Sequence, residues 1–212
     1  MRRAAVVLVI AALGSVAGTT WSAFSGATEN PGNVFTTAAS FCAAPGPQTV
    51  TADADAFVRQ TSGNSNFGAN TALRVQSAST VIVLGPNNER SLVHFALPAV
   101  PAHCTLTGAT LRLNASSAAA GRTLQAFRVS TAWTQAGVTW NNQPAVTGSA
   151  TTTASGTGWR EWDVTTQTQA MYTGSNTGFL IRDASESAIL AAVQVFSSRE
   201  GANPPQLVVT FA

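Results

Sequence analysis

Residues 132–144 read Ala-Trp-Thr-Gln-Ala-Gly-Val-Thr-Trp-Asn-Asn-Gln-Pro, and two of the chain's five tryptophans, Trp133 and Trp140, bracket the run. Val138 and Trp140 alternate with Gly137 and Thr139, the period-2 spacing of a half-buried strand, and Asn141, Asn142 and Pro144 then stop the ladder. The stretch predicts an aromatic corner of a β fold. Indoles at such a corner favour burial as core plugs; a ring left at the surface would be a platform for sugar stacking.

The same period continues on both sides. Thr107–Asn114 sets Ala109, Leu111 and Leu113 against Thr110, Arg112 and Asn114, and Leu124–Val129 resumes the alternation. Upstream, Thr49–Gln60, Leu73–Val75, Thr80–Leu84 and Arg90–Phe95 read as strands; Gly178–Arg182, Ile189–Ser197 and Gln206–Phe211 supply the last ones. In Thr49–Gln60 the pattern places Asp53, Asp55, Phe57 and Arg59 on one face. The segment 62–70 is a polar turn rich in Asn and Gly. Residues 146–158 read as a long Thr/Ser/Gly loop or a weak hairpin. Trp159–Val164 leads into the one helical stretch, with Asp163 as N-cap, Val164–Tyr172 as body and Gly174 as stop. Roughly eight to ten short strands punctuated by turns predict an all-β antiparallel β-sandwich, a jelly roll with one short helix.

Taken with Arg90–Phe95, Ala109–Leu113 and Gly178–Arg182, the Trp133–Pro144 run resembles the DNRLRE domain, also classified as carbohydrate-binding module family 96. The resemblance spans about Thr49–Phe211. It implies a non-catalytic β-sandwich of secreted proteins, with acidic polysaccharides such as alginate as ligands. Arg199 and Glu200 are similar to the family's Ser-Arg-Glu run and read as a structural pair.

Composition narrows the function classes. Charged residues are only 9% of the 212, against ~25% in ordinary soluble domains. All 11 basic residues are Arg, and Arg2 and Arg3 fall in an N-terminal export segment, so the remainder merely balances the 9 carboxylates. Without clustered positive charge a nucleic-acid partner is disfavoured. Arg2 and Arg3 precede an apolar run, Ala4–Ala17, that matches a secretory signal peptide and falls short of the ~20 residues a membrane span needs. Residues 18–35 are also similar to signal regions of biofilm-fibre and camelysin-like proteins. The expected division is a signal peptide over 1–22, a linker over 23–47 and a domain over 48–212, secreted or displayed at the cell surface with no stable membrane span in the mature chain. Cys42 and Cys104 are then expected to pair in an oxidising compartment.

No catalytic motif is present: there is no G-x-S-x-G elbow, phosphate loop, H-E-x-x-H or paired C-x-x-C, and His94 and His103 stand in no recognisable constellation. The chain reads as a non-enzyme. Its chemistry rests on arginines of the wet strand faces, Arg59, Arg74, Arg112 and Arg128, with Arg182 and Arg199 further on, because planar guanidinium groups match uronate carboxylates two hydrogen bonds at a time. Trp133, Trp159 and Tyr172 are the stacking candidates. Asp53, Asp55, Asn64 and Asn66 offer hard oxygens for a structural calcium ion, although Asp and Asn in turns also bond their own backbone; no other cofactor is expected. The leading expectation is a module for an acidic polysaccharide, and the alternative is an adhesive or structural matrix domain with a protein partner.

Overall fold

The computed structural model describes residues 41–80 and 85–212. The signal-peptide expectation, most of the linker and much of the Thr80–Leu84 strand therefore lie outside the described residues. Thirteen strands form in chain order: β1 Gly46–Thr51, β2 Ala54–Arg59, β3 Ala72–Ser77, β4 Ser79–Thr80, β5 Gly85–Pro86, β6 Glu89–His94, β7 Leu106–Ser117, β8 Thr123–Val129, β9 Val146–Ala154, β10 Gly158–Asp163, β11 Phe179–Asp183, β12 Ala192–Ser197 and β13 Gln206–Phe211. Eleven share one antiparallel sheet in the order β1-β13-β7-β12-β3-β6-β11-β8-β9, with β10 also on β7 and β2 also on β6; β4 and β5 pair separately. The sheet curls over a single main core, giving the expected sandwich.

That core draws on most of the long strands, β9 excepted. Leu111 and Leu113 of β7, Phe196 of β12, Leu207, Val209 and Phe211 of β13, and Phe179 and Ile181 of β11 are all buried, around Trp162 of β10. β13 alternates in burial without a break, as one wet face requires. β2, β6 and β11 do not: Asp55, Ala56, Phe57 and Val58 are buried in succession. Their outer face carries a second apolar cluster, Ala56, Val58, Leu92, Val129 and Leu180, covered by Val138, Trp133 and Trp140. The expected strand at Val138–Trp140 is thus corrected to irregular chain. The alternation is real, but it turns Val138 onto the sheet as a cover instead of into a ladder.

Three further expectations change. Thr49–Gln60 breaks near Ala52–Asp53 into β1, which pairs with β13, and β2, which pairs with β6, so the two acids do not share a wet face. Residues 146–154, expected as a loop, form the nine-residue edge strand β9, because β-branched threonines suit a half-exposed strand. The helix, α1, runs Thr165–Thr173, one residue later than expected. The N-cap position falls to Val164, which offers no capping side chain, so the expected Asp163 cap is corrected by one residue; from the end of β10 Asp163 Oδ1 still accepts from the Thr165 N–H at 3.0 Å and from Thr165 Oγ1 at 2.6 Å. α1 is seated by β7, since the Val164 N–H donates to Ala109 O at 2.8 Å and Ala109 N–H to Thr165 Oγ1 at 2.9 Å.

Candidate functional site

A cleft of about 780 Å³ opens where β8 and β9 face α1. Its shape begins with a bulge. Ala126 pairs with Thr151 and Arg128 with Thr147, so β8 spends only Phe127 while β9 spends Gly148, Ser149 and Ala150. Gly148 stands at φ +74°, in the left-handed region that a glycine enters without penalty. The unpaired bulge residues line the cleft with Arg128, Thr147 and Thr151, and Thr165, Thr166 and Gln167 of α1 line the opposite wall.

The polar groups here are under-used. Gln167 is buried and its Nε2 donates to Ser149 O at 3.1 Å, yet its Oε1 meets no donor. Thr151 Oγ1 and, behind it in α1, Thr168 Oγ1 also lack partners; with Asp55 Oδ1 these are the buried side-chain polar atoms without a hydrogen bond among the described residues. An orphaned buried polar atom costs about 1–3 kcal/mol, and two of the four, on Thr151 and Gln167, belong to residues that line this cleft. Asp163 adds a carboxylate at the rim, held below the usual range by the Thr165 hydroxyl and N–H that bond it.

Arg128 differs from the other expected arginines in being free. Arg59 Nε and Arg74 Nε converge on Glu89 at 2.5 and 2.7 Å, and that carboxylate is only 1% exposed. Arg112 bonds Glu161 at 2.7 Å and Gln206 at 3.1 Å and lies 4.7 Å over the Trp159 ring. Arg182 reaches Gln125 and covers Phe127. Arg199 donates to Asp53 O and to Gln135 Oε1, with its Nε 3.6 Å from Glu200, bearing out the structural pair. The Arg128 side chain has no hydrogen bond, ion pair or ring contact among the described residues. The expected row of binding arginines is therefore dispersed, and one of its members faces a cleft unpaired.

The aromatic candidates are dispersed too. Tyr172 donates to Pro98 O at 2.8 Å and meets Phe211 edge-on in the core. Trp159 lies under Arg112 on β10, and Trp133, half-buried, donates to Thr177 O at 3.1 Å. None of them lines the cleft. Each of the calcium candidates has a protein partner: Asn64 Oδ1 accepts from Asn141, Asn66 Oδ1 from the Gly68 N–H, Asp55 Oδ2 from the Arg199 N–H, and Asp53 pairs with His94 at 2.6 Å. Among the described residues no three His, Cys, Asp or Glu side chains gather in a metal-binding group.

The sequence profile of carbohydrate-binding module family 96 matches residues 46–211, the whole of the sandwich just described. The chain belongs to that family. A search of curated proteins found no match. For a family 96 module, a polar cleft with a free guanidinium is the kind of site a saccharide needs: hydroxyl-rich walls and a charged anchor. The Cys42–Cys104 disulfide, closed over a separation of 62 residues, ties the chain ahead of β1 to the segment before β7. No described helix is long and apolar enough to cross a membrane.

Reading the sequence missed Thr147, Ser149, Thr151 and Gln167. The available signal was Gly148 inside a Thr-rich run, since glycine within a strand often marks a bulge.

Proposed function

We propose that the protein is a secreted, non-catalytic module that holds an acidic, uronate-type polysaccharide in the β8–β9–α1 cleft. The observation that carries the reading is Arg128, a guanidinium without a protein partner at a cleft whose buried Thr151 and Gln167 oxygens are also unpaired. A sugar carboxylate would take two hydrogen bonds from Arg128, and ring hydroxyls would face the threonine-lined walls at Thr147, Thr152 and Thr166. Export accords with the disulfide.

Affinity electrophoresis in alginate, pectin and neutral-glucan gels tests it. The uronates should retard the protein in a salt-sensitive way, and Arg128→Ala should weaken retention about tenfold or more, as loss of a charge-assisted pair predicts. Its melting temperature should stay within a degree or two. Arg160→Ala, which removes the same charge outside the cleft, should bind like wild type. Equal mobility of wild type and Arg128→Ala would reject the proposal.

One observation favours a second reading, an adhesive matrix domain: Ile189 and Leu190 are 77% and 83% exposed side by side. Concentration-dependent sedimentation that Leu190→Ser abolishes would support it. A structural calcium ion at Asp53, Asp55, Asn64 and Asn66 is a separate proposal; a melting temperature unchanged by chelator removes it.

A further inference from the structure

We propose that Trp133 forms a second saccharide subsite, on the outer face of the β2–β6–β11 layer, that takes a neutral sugar ring. It rests on the carbohydrate-binding character of the family but neither on Arg128 nor on uronate recognition.

Two grooves, about 200 and 330 Å³, share Ala132 and Trp133 as lining, so both open beside this residue. The ring is half-buried, and it is fixed. Its Nε1–H is committed to Thr177 O at 3.1 Å, and it packs on the outer apolar cluster, so stacking on it would cost little further ordering. Ala54 and Ala132 beside it are too small to cover it.

The smaller groove adds directional polar groups. Asp53 Oδ1 and His94 Nδ1 stand 2.6 Å apart, and the Asp53 side chain is 44% exposed, which leaves Oδ2 open to a hydroxyl donor. Asn176 sits on the same wall with its Nδ2 committed to Phe95 O at 2.7 Å, leaving its Oδ1 as a further acceptor. An apolar ring platform beside fixed acceptors suits a pyranose, which presents C–H groups on its face and hydroxyls at its edge. The charge selects the class. Asp53 would meet a uronate carboxylate with like charge, and the nearby guanidinium of Arg199 is committed to the Asp53 carbonyl, Gln135 and Glu200. A neutral ring pays no such penalty.

The test uses the full chain in gels of a neutral β-glucan, a galactomannan and a xylan at high salt, where charge-driven retention is screened. At least one neutral polymer should retard the protein with no salt dependence. Trp133→Leu, which keeps apolar bulk over the outer cluster, and Asp53→Ala should each weaken that retention about tenfold. Arg128→Ala should leave it unchanged. Failure of every neutral polymer to retard the wild type overturns the proposal, as does retention that survives Trp133→Leu in a protein of native melting temperature. Loss of alginate retention alone would reject the Arg128 reading and leave this one standing.

Discussion

Asp55 is the residue whose environment departs furthest from its chemistry. It lies in β2 with no exposure, its Oδ2 accepts the Arg199 N–H at 2.7 Å, and its Oδ1 has no partner. Burial pushes its carboxyl up to about 7, opposed by the Arg199 N–H and assisted by the Glu200 carboxylate. Because the folded value lies above the unfolded one, the stability this group contributes is complete in acid and is lost as pH rises towards about 7. Urea midpoints should therefore fall between pH 5 and 7.5 more steeply in wild type than in Asp55→Asn, with a limiting difference of about 1.4 kcal/mol per pH unit. Parallel profiles for the two proteins would contradict this account of Asp55.

At the scale of elements, the loop over residues 131–145 acts as a piece of the fold. Gln135 joins four segments: its Oε1 accepts from the Asp55 N–H and Arg199, its Nε2 donates to Gly68 O and Glu200, and its carbonyl accepts from Asn66 Nδ2. Gly68 is what lets the polar turn approach, since a Cβ there would stand 2.2 Å from the Gln135 carbonyl oxygen. Gly68→Ala should thus cost more than the ordinary glycine replacement, about 2–4 kcal/mol in chemical denaturation, because backbone must move. Val138→Ala, which uncovers the outer cluster, should cost about 2 kcal/mol without unfolding the main core. Neither substitution touches the lining of the Arg128 cleft, so uronate retention per folded molecule should survive both.

At the scale of the whole molecule, the sheet alone does not hold the entry of the chain. β1 is an edge strand on β13, and the segment before it is fastened by Cys42–Cys104 and by the Ala43 N–H donating to Ala102 O at 2.9 Å. Reduction should lower stability by about 4 kcal/mol if the bridge acts by restraining the unfolded chain. A melting temperature that falls by less than a few degrees would show instead that the reduced chain keeps this end ordered.

Much of the architecture was legible because burial writes itself into local period. β7, β12 and β13 alternate in sequence as they alternate in the structure, and Gly174 ends the helix as a stop residue does. Family membership was legible for the same reason: several ordered segments each carry enough pattern. What period cannot encode is which long-range partner claims a side chain. Arg59, Arg74, Arg112 and Arg128 look alike in strands, yet three of them meet carboxylates brought from 15 to 49 residues away and one meets none. The Trp133–Trp140 run has strand period but no strand to pair with, because its apolar side chains cover a sheet face that only the tertiary fold creates. The sequence by itself determined the β-sandwich, the disulfide partners and the family; the free guanidinium, the bulged cleft and the half-buried Trp133 beside its grooves were decided by tertiary structure, since each depends on which groups remain unpaired after every other contact is made.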